Sequence, residues 1–214
     1  MTNLKVTQGL AIMVTLTGLV VMFGWYCSIP GLTSILPHWV TMKFSTAVCF
    51  VLSGLTLFLI ATALQGHHEV ANVIIPIGAG GIWLLMGSLL ASTLLGVHTG
   101  IEDLFVQETE GAVMTTTPGR PSVSTMLDFI LVAAAGLVTM LNPEESPRYR
   151  RILGYVVGAT GFMAVCGYIL NQPALYFTWT GFSTAMALHT AILFVLLAIG
   201  LVYVDEQRPG RDPG

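Results

Sequence analysis

Asp128 stands inside the run MLDFILVAAAGLVTML (residues 126–141), where its neighbours are apolar. An ionised carboxylate at bilayer depth is costly, so such an acid must face a protein interior and be either partnered or protonated. By depth its nearest candidate partner is His189, close to the start of another apolar run, MALHTAILFVLLAIGLVYV (186–204). The alternative is a carboxyl near the water boundary, bonded to Ser124 or to a loop amide. Ser124 and His189 each precede a threonine, Thr125 and Thr190, and a third polar pair, Ser45-Thr46, opens a further apolar run. Such pairs can cap helices or bond back to the preceding turn. They can equally converge on a polar pocket, and the two roles are compatible.

Other residues with chemical potential are weaker. His38, His98 and His189 fall on one side of the expected membrane, but no two histidines share a helix at the i, i+4 spacing of a metal site. Neither metal nor haem is expected. The stretch GVHTGIEDLFVQETEGAVMTTTPGRPS (96–122) carries Glu102, Asp103, Glu108 and Glu110 against a single Arg. These acids could draw a cation, although solvating a long loop is the simpler expectation. Cys27, Cys49 and Cys166 lie apart in apolar runs with no CxxC and read as small packing residues. No nucleophile–base set, phosphate loop or dinucleotide fingerprint occurs, so no enzymatic activity is expected.

The elements that must position these groups follow from composition. Of 214 residues, 54% are hydrophobic and 9% charged, with a mean hydropathy of +0.80; a soluble domain carries about 25% charged residues. Lipid must therefore be the solvent. The net charge of -3 disfavours nucleic acid as a partner. A spanning helix needs roughly 20 mostly apolar residues. Six candidates satisfy this, at 7–29, 47–64, 72–97, 126–141, 152–170 and 186–204. The fourth is short unless it starts at Ser122. Lys5, Arg148, Arg150, Arg151, Arg208 and Arg211 lie on one side, and only Lys43 and Arg120 on the other. The positive-inside rule then places both termini in the cytoplasm and the three long connections outside, as a multi-pass protein of a bacterial inner membrane. A signal peptide is not favoured, because the first apolar run is too long and lacks a small-residue cleavage site.

One phrase recurs. MKFSTAVCF (42–50), PSVSTMLDF (121–129) and MALHTAILF (186–194) share Thr at the fifth position and Phe at the ninth. Each stands where an outer connection re-enters the membrane. The helices before two of them match as well: Gly18, Gly24-Trp25 and Pro30 recur as Gly161, Gly167-Tyr168 and Pro173, with only Gly87 retained in the middle copy. The expected fold is an all-α integral membrane domain of six transmembrane helices in three helix–outer loop–helix pseudo-repeats (about 6–66, 70–142 and 149–205), followed by a short cytoplasmic tail at 206–214. Parallel repeats imply pseudo-symmetry about an axis along the membrane normal. Met, Thr and Phe at i, i+4 and i+8 share one helix face.

The segments LPHWVTMKFSTAVCFVLSGL, TGIEDLF…TPGRPSVSTMLDFIL and GYILNQPALYF…MALHTAILFVLLAIGL together resemble the membrane-embedded N-terminal sensor regions of some bacterial histidine kinases and diguanylate cyclases. The resemblance covers nearly the whole chain, in order, at Met42, Thr46, Phe50, Thr125, Phe129, Met186, His189, Thr190 and Phe194. It implies reception of an extracytoplasmic or membrane signal. Asp128 departs from the amide expected in the middle phrase, and Glu102 with Asp103 compress the acidic stretch. Proteins of that type continue into output domains, whereas this sequence ends at DEQRPGRDPG. The expected role is thus an accessory or scaffold subunit of a larger membrane assembly, derived from a sensor-type domain, with lipid and a protein partner in the membrane. The alternative is a stand-alone sensory module whose small or lipophilic ligand binds near Ser45, Thr46, Ser124, Thr125, Asp128, His189 and Thr190. A small transporter is weaker still, since ion pairs and broken half-helices are missing from the spans. Lipid, quinone and pigment remain open as occupants, and so does self-association.

Overall fold

The computed structural model describes residues 2–108, 112–177 and 183–204. Glu110 and the tail at 206–214, with Arg208 and Arg211, lie outside the described residues. Seven α-helices occur among the described residues: α1 (Thr2–Tyr26), α2 (Pro30–Thr33), α3 (Phe44–Ala63), α4 (Glu69–Leu95), α5 (Val123–Leu141), α6 (Ser146–Ile169) and α7 (Leu188–Tyr203). Single 3-10 turns stand at Ile101–Asp103 and Pro173–Leu175, and no strand occurs among the described residues. Five helices are long and apolar enough to cross a membrane: α1, α3, α4, α5 and α6. The fourth apolar run is not the short one. Ser122 accepts a hydrogen bond from the Thr125 amide and caps α5, which thereby reaches 19 residues. The shortest of the helices built on the six apolar runs is α7, with 16 residues. Its apolar run starts at Met186, but Ala187 is extended (φ -69°, ψ 148°) and stands as the N-cap, so the helix begins at Leu188.

Neighbouring helices in the chain pack as antiparallel pairs, α1 on α3, α4 on α5 and α6 on α7. Contacts of α3 with α4, α5 with α6 and α1 with α7 close these pairs into a ring. α3, α5 and α7 also touch one another and form the interior, while α1, α4 and α6 turn most of their apolar surface outward. The recurring phrase explains this arrangement. Met42, Thr46 and Phe50, then Thr125 and Phe129, then Met186, Thr190 and Phe194 are all buried. The three phenylalanine rings form a triangle, with centroids 4.7 Å apart for Phe50–Phe129, 5.0 Å for Phe50–Phe194 and 4.9 Å for Phe129–Phe194. Tilted and edge-on contacts of this kind suit the ring quadrupole.

The outer helices end alike. Residues in the left-handed region follow α1 at Ser28 (φ 54°), α4 at Gly96 (φ 65°) and α6 at Asn171 (φ 52°). The next amide in each case bonds back into the last turn: Ile29 to Gly24 at 2.8 Å, Val97 to Ser92 at 3.1 Å and Gln172 to Gly167 at 2.8 Å. This satisfies carbonyls that a helix end would otherwise leave open. A short helical turn follows each ending. The Trp25 indole then donates to the Met42 carbonyl at 2.8 Å, as the Tyr168 hydroxyl does to Met186 at 2.9 Å.

Glycine marks the close approach of outer to inner helix in two pairs. A Cβ at Gly18 would stand 2.8 Å from the Ala47 carbonyl oxygen, and one at Gly161 would stand 2.8 Å from that of Ala191. The retained glycine of the middle pair differs from the expectation. Gly87 has open space around its Cβ position, and the buried Met86 lies ten residues ahead of Gly96, as Gly18 does of Ser28 and Gly161 of Asn171. Gly18→Ala and Gly161→Ala should therefore lower the thermal midpoint of the detergent-solubilised protein. Gly87→Ala should leave it equal or raise it, since Ala is favoured over Gly inside a helix by about 1 kcal/mol.

Candidate functional site

The three long connections meet at one end of the helix ring. Thr41 and Lys43 reach the loop between α4 and α5, the Ala185 amide donates to the Met114 carbonyl at 3.0 Å, and Thr116 donates to Ser183 at 2.8 Å. Two buried ion pairs fix this end. Lys43 contacts both Glu108 oxygens, at 2.5 and 2.7 Å, and Thr115 Oγ1 at 2.8 Å. All three ammonium donors are thereby used. Glu108 also accepts from Thr41 Oγ1 at 3.1 Å and from the Gly119 amide at 2.7 Å. Arg120 Nη2 donates to Glu102 Oε1 and, at 2.9 Å, to the Val97 carbonyl. Ser92 Oγ donates to Glu102 at 3.0 Å, and Thr99 Oγ1 at 3.3 Å.

These bonds overturn the expectation of a merely solvated acidic loop. The Glu102 and Glu108 side chains are buried, and each is paired with a basic residue, Arg120 and Lys43. Burial pushes the Glu102 carboxyl up, but the bonds from Arg120, the backbone and Ser92, with the Arg120 charge, outweigh it and hold the group at about 2. Burial lowers the Lys43 ammonium, opposed by the charge and hydrogen bonds of Glu108. Gly119 joins the two pairs. Its amide serves Glu108, its φ is 71°, and a Cβ there would collide with the Glu102 carbonyl.

Beside these pairs lies a small cleft with enclosed room for about one water, lined by Trp25, Lys43, Phe44, Ser45, Glu102, Phe105, Val106, Glu108 and Gly119. Ser45 Oγ is buried there without a hydrogen bond. Arg120 Nε, Thr184 Oγ1 and both nitrogens of His189 are likewise buried and unbonded. The His189 ring feels the Thr33 backbone, yet neither nitrogen makes a hydrogen bond of good geometry. Ser53, farther along α3, is the remaining hydroxyl in this condition among the described residues. Such atoms each cost about 1–3 kcal/mol when left unpaired. Their gathering at one end is the feature of the molecule that most calls for an occupant.

The other sequence-derived candidates distribute as follows. Thr125 pairs with the Ser122 hydroxyl at 2.7 Å as part of the α5 cap, and Ser124 is half-buried. Thr46 and Thr190 are buried in the interior, one turn from their phenylalanines. Asp128 does not reach His189, Ser124 or a loop amide. Its Oδ2 lies 2.7 Å from Thr160 Oγ1 on α6. His38 is exposed. His98, itself exposed, stands 3.9 Å from Glu102 and 3.8 Å from Asp103, and no group of three metal-ligating side chains assembles among the described residues. Lys43, Arg120, Gly119 and Thr160 belong to these bonded groups without having stood among the candidates expected from the sequence. The first two carried a signal, being the lone cations opposite four acids. No protein-family model, curated protein or solved structure matches the chain.

The Glu102 carboxyl titrates lower in the folded protein than in the unfolded chain. Its contribution to stability is complete above about pH 4.5 and is lost as pH falls toward about 2. The unfolding midpoint of the solubilised protein should fall through that window, and the Glu102→Gln variant, destabilised at neutral pH, should lose that part of the slope.

Proposed function

We propose that the chain is a non-enzymatic sensor-type module of a bacterial inner membrane, which takes a small ligand where its three long connections meet. The observation that carries this reading is the set of buried, unbonded polar atoms at that end: Ser45 Oγ, Arg120 Nε, Thr184 Oγ1 and the His189 nitrogens. The fold is read as six spans in three repeats, α7 being the sixth. The like endings of α1, α4 and α6 and the Phe50–Phe129–Phe194 triangle support the repeats. Both termini are read as cytoplasmic. Lys43 and Arg120, the two exceptions to the charge rule, are neutralised by Glu108 and Glu102, which leaves Lys5, Arg148 and Arg151 as the exposed Lys and Arg residues at the opposite end among the described residues.

In this reading the ligand replaces missing hydrogen bonds at the heads of α3 and α7. Because those helices pack against each other and against α5, occupancy can shift the inner trio and be felt by a partner at the far end. A second reading, an accessory or scaffold subunit, is favoured by the filled axis and by the outward apolar faces of α1, α4 and α6, with Tyr26, Leu84 and Ile169 among the most exposed residues. The phenylalanine triangle weighs against a transport path.

Native mass spectrometry of protein released gently from its own membrane separates these readings. The sensor reading expects a chain, alone or self-associated, that retains one small molecule, with retention reduced at least tenfold in Ser45→Ala/His189→Ala. Co-migration with larger subunits and no bound small molecule would favour the scaffold and contradict the sensor reading.

A further inference from the structure

Asp128 is almost fully buried on α5, and nothing in the reading above uses it. No Lys, Arg or His lies within ion-pair distance of it among the described residues. The elements packed on α5 explain why. α3 carries no charged residue, and α4 carries only Glu69, at its opposite end. α7 offers His189, whose nitrogens make no hydrogen bond to the acid. α6 has Arg148, Arg150 and Arg151, but Arg151 precedes Thr160 by nine residues, about 13 Å along a helix. Tyr149, Tyr155, Cys166 and Tyr168 complete the titratable groups of α6, and Cys49 and Tyr203 those of α3 and α7. The Thr160 hydroxyl is the sole hydrogen-bond partner of Asp128 among the described residues.

That hydroxyl holds one proton and has three acceptors in reach: Asp128 Oδ2 at 2.7 Å, the Val157 carbonyl at 2.9 Å and the Val156 carbonyl at 3.4 Å. If Asp128 were ionised, that one proton would have to turn to it, and the carbonyls of α6 would keep only the amides of their own helix. A buried carboxylate without a cation would also be left with a single hydroxyl. If Asp128 carries a proton, every group is served. The carboxylic acid donates to Thr160 Oγ1, and the threonine donates to Val157. We propose that Asp128 is a proton-binding site at the seam between α5 and α6, protonated at neutral pH through the chain Asp128 to Thr160 to Val157. Loss of the proton to water would leave a buried carboxylate with one hydroxyl and no cation, so the seam must then admit water or part. The site is independent of the ligand reading and can stand if that reading fails.

Infrared spectroscopy of the whole protein in lipid at neutral pH tests this directly. The wild-type minus Asp128→Asn difference should contain the carbonyl stretch of one protonated carboxylic acid. Thr160→Val, which removes the acceptor but keeps the shape, should move that band toward the frequency of an acid without a hydrogen bond. Absence of the band from the first difference would overturn the proton site. A band that Thr160→Val leaves in place would overturn the chain through Thr160. Both variants are close isosteres, and a retained thermal midpoint establishes that each has folded.

Discussion

Three phenylalanines at one level constrain the rest of the molecule. For Phe50, Phe129 and Phe194 to meet, α3, α5 and α7 must approach a common axis at matching heights. Each inner helix must then be shielded from lipid by the helix before it in the chain. Gly18 and Gly161 allow that shielding helix to come against the inner backbone. The connection between the two helices has to turn back over the same end each time, and the shared left-handed endings do this. In lipid, where apolar burial gives little preference for helix contact over acyl chains, such shape matching is what holds helices together.

The same constraint gathers three connections over the heads of the inner helices, and polar chemistry collects there. Lys43 and Arg120 enter this region as charges that water cannot fully reach. Each is neutralised by one acid of the middle connection, with hydroxyl and amide groups completing both sets of bonds. A buried pair of this kind adds little net stability compared with apolar packing, but removing one member is severe. Its effect is to specify one arrangement of the long connection over α3. That arrangement leaves Ser45 at the edge of a cleft with its hydroxyl unused.

The inner stripe was legible because Met, Thr and Phe at helical spacing in three copies leave one face for the core. The α5 cap was legible too, in Ser122 ahead of a short apolar run. Partners across the structure were not. Depth in a membrane fixes how far along a helix a residue lies, not the direction it faces, so Asp128 and His189 share a depth in the sequence pattern without meeting, and Asp128 turns to Thr160. Glu108 and Lys43 are 65 residues apart, and their meeting depends on a loop path that has no periodicity to read. Gly87 matched by type but not by register, because the end of α4 at Gly96 puts Met86 at the level of Gly18.

The phenylalanine triangle is the claim on which the account rests, and pairwise double-mutant cycles test it most directly. Single and paired substitutions of Phe50, Phe129 and Phe194 to Leu would be compared for unfolding free energy in a mixed detergent–lipid system. All three pairs should show coupling, each about 0.5–1.5 kcal/mol as found for aromatic contacts beyond area burial. Additive behaviour in any two of the three pairs would mean that the rings do not meet and that the inner helices are arranged otherwise.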